Sequence, residues 1–155
     1  MTFKLSKRSL KRLEGVDEGL REVVFHAISI TKIDFGVTCG LRTASQQKQL
    51  FDRKASQCDG VVKKSKHQSG NAVDLVAYLG SRISWELSFY DDLASAMRDA
   101  ARACGVSIRW GAAWHVNDCR ATDHMSMEEV MNEYIDLRRS EGRKCFIDGP
   151  HFERS

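Results

Sequence analysis

The chain has 155 residues, 42% hydrophobic and 29% charged, with a formal net charge of +3. These proportions describe a globular chain able to bury a core without disulfide staples, and they argue against disorder over most of its length. No apolar run approaches the roughly 20 residues of a membrane-spanning helix, and no apolar stretch follows the early charges, so no secretory leader is expected.

In chain order, the first feature is the basic group Lys4, Lys7, Arg8, Lys11 and Arg12, echoed later by Lys63, Lys64 and Lys66. It reads as solvated surface or as attraction to a polyanion, nucleic acid or an anionic envelope polymer, and no nucleic-acid module accompanies it. Leu20, Val23, Val24, Ala27 and Ile28 recur at helical spacing and predict an amphipathic helix over about 17–30. Phe35, Val37 and Cys39 alternate as a short strand ending at Gly40. A polar helix over about 44–55 follows, capped by Thr43 or Ser45, and then a Lys-, Ser- and Gly-rich loop of about 16 residues, a length that favours a functional role. Residues 72–78 form a strand with Val73, Leu75 and Ala77 on one face and Ala72, Asp74 and Val76 on the other.

Trp85, Phe89, Leu93, Ala96, Met97, Ala100 and Cys104 mark a long helix, with Gly105 as its stop signal. Val106 to Trp110 reads as a strand, and Met127, Val130, Met131, Tyr134 and Ile135 as a helix over about 126–139. Phe146, Ile147 and Phe152 suggest a last strand interrupted by Asp148, Gly149 and Pro150. The pattern predicts an α+β fold: one domain over residues 1–155, a small, mostly antiparallel sheet with helices packed on one side. The five cysteines, Cys39, Cys58, Cys104, Cys119 and Cys145, are odd in number and contain no CxxC. Reduced thiols without a chemical role are expected.

Two segments carry chemistry. Ser65 to Asp74 places His67 on a loop and Asp74 in the following strand, and Asp148 to Glu153 places Asp148 three residues before His151. Two imidazoles and one carboxylate are a standard three-ligand set for catalytic zinc, leaving a fourth position for water. The set assembles only if the strands holding Asp74 and His151 are neighbours with both side chains on one face. Asp148 is then the nearest further carboxylate able to carry a proton. A carboxylate in an apolar strand is costly unless it meets a metal or a cation, which singles out Asp74. A rival cluster, His115, Asp118, Cys119, Asp123 and His124, holds more potential ligands in a shorter span, and spacing alone does not rank the two.

The spacing Ser65-x-His67-x-x-Gly70-x-Ala72-x-Asp74 followed by Asp148-x-x-His151-Phe152 resembles the zinc D,D-peptidase family. Cys39-Gly40-Leu41-Arg42-Thr43 matches its Gly-x-Arg-Thr segment, and Arg109 to Trp114 its Gly-containing aromatic segment. The family contains D-Ala-D-Ala carboxypeptidases, dipeptidases and the L-alanyl-D-glutamate endopeptidases that serve phages as endolysins. The short form without a leader is most similar to the last group.

That resemblance implies a Hedgehog/D,D-peptidase-like fold, with His67, Asp74 and His151 as Zn2+ ligands, Asp148 as general base and Arg42 as the group facing the developing oxyanion. It further implies a monomeric peptidoglycan hydrolase cutting between L-Ala and D-Glu, made in the host cytoplasm and reaching the wall after holin-dependent release. It implies no nucleic-acid partner and no insertion into a membrane. A carboxypeptidase or dipeptidase acting at the stem's free end, or a non-catalytic zinc module as in the related Hedgehog domain, are the alternatives. Ala113 stands where phage members often carry Asp before the Trp, and the stretch 117–144, longer than in compact relatives, is expected to edge the cleft. The chain's one proline, Pro150, fixes φ between base and ligand.

Overall fold

The computed structural model describes residues 2–122 and 124–155. Five strands form one antiparallel sheet: β1 (Asp34–Cys39), β2 (Ala72–Leu79), β3 (Arg82–Ser84), β4 (Ile108–Trp110) and β5 (His151–Arg154). The strand order is β1-β2-β5-β4, with β3 paired to the end of β2. Alternation along the strands sends Phe35, Val37, Val73, Leu75, Ala77, Ile108, Trp110 and Phe152 into the core.

Two helices supply most of the opposing apolar surface. In α2 (Glu18–Ile30), capped by the Asp17 carboxylate on the Leu20 N–H, the buried residues are those of the expected stripe. In α4 (Leu87–Cys104), Tyr90, Leu93, Ala94, Met97, Ala100 and Ala101 are buried, and Gly105 closes the helix at φ +68°. Helix α5 (Met127–Ser140) opens on a capping box between Ser126 and Glu129 and buries Met127, Val130, Met131 and Tyr134. The α+β architecture with helices against one face of a small antiparallel sheet is as expected. No helix among the described residues is long and apolar enough to cross a membrane.

Several boundaries differ from expectation. Helix α1 (Lys7–Arg12) was unmarked because only six residues form it. It covers the outer edge of β1, where Ser9 Oγ accepts the Val37 N–H at 2.9 Å and Arg12 donates to the Val37 carbonyl at 3.0 Å. Helix α3 (Ala44–Asp52) stops before residue 55, and α4 starts after Trp85, whose exposed ring stacks on Tyr90. Strand β3 is too short to carry an alternation signal. Phe146 and Ile147 are not strand, so the last strand begins only at His151.

A β-bulge at Thr38 shifts the register between Val37 and Cys39 and pairs Cys39 with Asp74. Strict alternation would have sent Cys39 into the core with Phe35 and Val37; the extra residue turns it to the opposite face.

Candidate active site

The face of the sheet away from the helices carries the polar side chains. Antiparallel pairing sets Asp74 directly opposite His151 and Ala72 opposite Glu153, so Asp74, His151 and Glu153 project to one side. His67 reaches the same place from a single 3-10 turn, Lys66–Ser69, rather than from an open loop. Gly70 ends that turn at φ +75°, and a Cβ there would lie 2.4 Å from the Gly15 carbonyl oxygen, so only glycine fits.

The segment Asp148 to His151 is pinned from four sides. Asp148 N–H donates to the Gly111 carbonyl and Gly111 N–H to the His151 carbonyl, each at 2.8 Å. The buried Trp110 indole donates to the Gly149 carbonyl at 2.8 Å, and Leu75 N–H to the Pro150 carbonyl at 2.9 Å. A Cβ on Gly111 would stand 2.2 Å from the Asp148 carbonyl oxygen, so this contact requires a glycine.

Each imidazole is anchored by its outer nitrogen. His67 Nδ1 lies 2.9 Å from the Gly40 carbonyl oxygen, an acceptor, so that nitrogen donates and Nε2 offers a lone pair. His151 Nε2 lies 2.9 Å from Glu153 Oε1, which leaves Nδ1 as its free lone pair. His67 Nε2 and His151 Nδ1 each stand 3.4 Å from Asp74 Oδ1, a buried oxygen that accepts no well-formed hydrogen bond. A tetrahedron with metal–ligand distances of about 2.0–2.1 Å has edges of about 3.3–3.4 Å, the separation found on both sides of Asp74. Neutral imidazole, ionised carboxylate and an orphaned buried oxygen fit a zinc ion.

The donor atoms form two overlapping metal-capable groups that share Asp74: Cys39 with His67, and Asp148 with His151. Cys39 Sγ is 3.7 Å from His67 Nδ1, the nitrogen already committed to Gly40, so the thiol supports that ring from behind.

Burial opposes charge on both rings, but the negative groups around them prevail. With protons as the only cations, Asp74 and Cys39 push His67 up to about 10, and Asp74 and Glu153 push His151 up to about 9. Burial also opposes ionisation of Asp74, and the two imidazoles overcome it, holding the carboxyl well below its usual range. Burial and the nearby charge of Asp74 raise Asp148 above the ordinary carboxylate value, a shift suited to a group that must both accept and return a proton.

Arg42 completes the centre. Its backbone N–H donates to the His67 carbonyl at 2.9 Å, and its guanidinium donates to Gln47 Oε1 at 2.6 Å and to Cys39 Sγ at 3.2 Å, standing 3.8 Å from Asp74 Oδ2. The predicted residues His67, Asp74, His151, Asp148 and Arg42 thus share the lining of one cavity of about 560 Å³.

Over most of its length the sequence is similar to known peptidases. It matches the profile of the phage L-alanyl-D-glutamate peptidase family over residues 1–154. The chain belongs to that family. An L-alanyl-D-glutamate peptidase of Escherichia phage T5 is 31% identical over 118 residues, 76% of this chain and 85% of the relative. The crystal structure of the Serratia marcescens L-Ala D-Glu endopeptidase ChiX superposes with a TM-score of 0.70 at 29% identity, covering 98% of this chain and 90% of that one. The chain is therefore an enzyme of the phage L-alanyl-D-glutamate peptidases, a peptidoglycan hydrolase, as the motif resemblance implied.

The rival cluster does not assemble among the described residues. Asp118 is paired with Arg120 at 2.9 Å and His115 with Glu133 at 2.9 Å, while Cys119 is buried and Asp123 lies outside the described residues. The 117–144 stretch backs the cleft instead of lining it. From α5, Tyr134 stacks on His115 and accepts the Phe146 N–H, and Phe146 with Trp114 forms the aromatic wall beside His151. Sequence reasoning missed Glu153 and Gln47, and it placed Gly111 in a matched segment without giving it a role. Glu153 had a signal, since period-two alternation after His151 puts both side chains on one face.

Proposed function

We propose that residues 1–155 act as a single zinc peptidase domain, a phage endolysin that hydrolyses the L-Ala–D-Glu bond of peptidoglycan stem peptides. The observation that carries this reading is the convergence of His67 Nε2 and His151 Nδ1 on Asp74 Oδ1, with Asp148 and Arg42 in the same cavity. His67, Asp74 and His151 would hold the ion, and zinc in such a site acidifies water and polarises a carbonyl.

The chain's own groups do the rest. Asp148 takes a proton from the attacking water and returns it to the departing amine of D-Glu, its raised pKa serving both transfers. The Arg42 guanidinium, fixed by Gln47, faces the negative charge that develops on the carbonyl oxygen. Trp114 and Phe146 wall the cavity beside His151. Synthesis in the host cytoplasm, holin-dependent release to the wall and action as a monomer complete the reading.

Mass spectrometry of digested peptidoglycan tests it. New N-terminal D-Glu paired with free L-Ala carboxyl ends is expected; released D-Ala would replace this reading with a carboxypeptidase. Asp148→Ala should retain zinc and lose about 10²–10⁴-fold in kcat. A fully active variant would remove Asp148 from the mechanism.

A further inference from the structure

One wall of the catalytic cavity is cationic. Lys54, Lys63, Lys64 and Lys66 line it, in the cavity that Trp114 and Phe146 also line. Lys66 Nζ lies 3.4 Å from the Arg154 carbonyl, but among the described residues Lys54, Lys63 and Lys64 have no ion-pair partner.

The segment that carries these side chains is tied down. Buried Gln47 donates to Ser56 Oγ at 2.8 Å and to the Cys58 carbonyl at 2.7 Å. Asp59 Oδ1 accepts the N–H groups of Val61, Val62 and Lys63, each at 2.9 Å, and Gln68 donates to the Gly60 carbonyl at 2.9 Å. The lysines are therefore presented by an ordered rim.

Lys54 adds an independent sign. It sits just past the end of α3 at φ +61°, where Ala55 N–H returns to the Leu50 carbonyl and Lys54 N–H to the Phe51 carbonyl. That pair of bonds is the Schellman closure, a position where glycine is ordinary because a Cβ is strained in the left-handed region. The strain is retained at a lysine that lines the cavity.

The scissile bond joins L-Ala to D-Glu, so the leaving side carries a glutamyl carboxyl outside that bond. The cavity's own acids, Asp74, Asp148 and Glu153, cluster at the reacting centre and would repel that carboxylate; the lysine wall attracts it.

We propose that Lys54, Lys63 and Lys64 form the subsite that receives the carboxylate of the leaving-side D-glutamyl residue and so determine specificity; this rests on the peptidase reading above. The test compares two soluble stem peptides, identical except that the D-glutamyl α-carboxyl is free in one and a carboxamide in the other. The zinc-loaded wild-type enzyme should favour the free carboxylate by at least about tenfold in kcat/KM, mainly through KM, as one charge-assisted contact allows.

In the triple variant Lys54→Gly, Lys63→Ala, Lys64→Ala that ratio should fall toward one. Lys54→Gly alone should melt no lower than wild type, because it relieves the left-handed strain, which separates lost recognition from lost folding. Equal rates on both peptides for wild type, or an undiminished ratio in the triple variant, would overturn the subsite. So would an equal loss on both peptides, which marks the lysines as acting without regard to that carboxyl. If wild type cleaves neither peptide between L-Ala and D-Glu, the peptidase reading itself falls, and the subsite with it.

Discussion

Glu153 has no chemistry of its own in the proposed reaction, yet it decides which nitrogen of His151 faces Asp74. Its buried carboxylate holds Nε2 at 2.9 Å and thereby fixes the ring and its tautomer. Glu153→Ala should weaken zinc binding about 10–100-fold in competition against a chelator, and Glu153→Gln, which keeps an acceptor oxygen, should lose less. An alanine variant that held zinc as tightly as wild type would show that packing alone orients His151. At this scale the residues that converge on the cavity were legible, because His67, Asp74, Asp148 and His151 are of the few types that ligate metals or carry protons. Their supports were not. Gln47 sits in a polar helix among other polar residues, and its contacts to Arg42, Ser56 and Cys58 depend on where the chain returns, which local pattern does not encode.

The elements that matter most for the cleft are those behind its walls. Helix α5 supplies none of the residues that line the cavity, but through Tyr134 it supports both His115 and the Phe146 backbone, and so the ring pair of Phe146 and Trp114. Its stability rests partly on the reciprocal Ser126–Glu129 cap, with both bonds at 3.1 Å. Ser126→Ala should cost about 1 kcal/mol, lowering Tm by about 2–4 °C in a chain of this size. The zinc content should not change; a drop in bound zinc would mean that α5 reaches the centre more directly than through the aromatic wall. Long periodic elements such as α2 and α4 were readable from their apolar stripes. The six-residue α1, the three-residue β3 and the bulge at Thr38 were not: each is decided by tertiary pairing, and the bulge reverses the face that simple alternation assigns to Cys39.

For the whole molecule, the cluster of His67, Asp74 and His151 makes stability depend on what fills it. In chelator-stripped protein the two histidines have folded values of about 10 and about 9 against an ordinary 6.5, so the folded state binds more protons than the unfolded chain above pH 6.5. Their contribution is complete below pH 6.5 and is lost as pH rises through about 9–10. Asp74 has the opposite sign, being held below its ordinary 3.8, so its contribution is present above that value and lost as pH falls beneath it. Asp91, pushed up to about 6 by burial and by the charges of Glu128 and Asp92, loses its contribution as pH rises through about 6 and so overlaps only the lower edge of the histidine window.

The stripped protein should therefore show a Tm that declines steadily from about pH 6.5 to 10. The zinc-loaded protein should stay nearly level over the same interval, because its ligands are already deprotonated. Zinc must displace those protons to bind, so its affinity should climb with pH across the window in which the stripped protein weakens. Calorimetric melts of the two forms at matched pH check both slopes together. Parallel curves would mean that the imidazoles and Asp74 do not form the coupled centre from which the proposed reaction is derived.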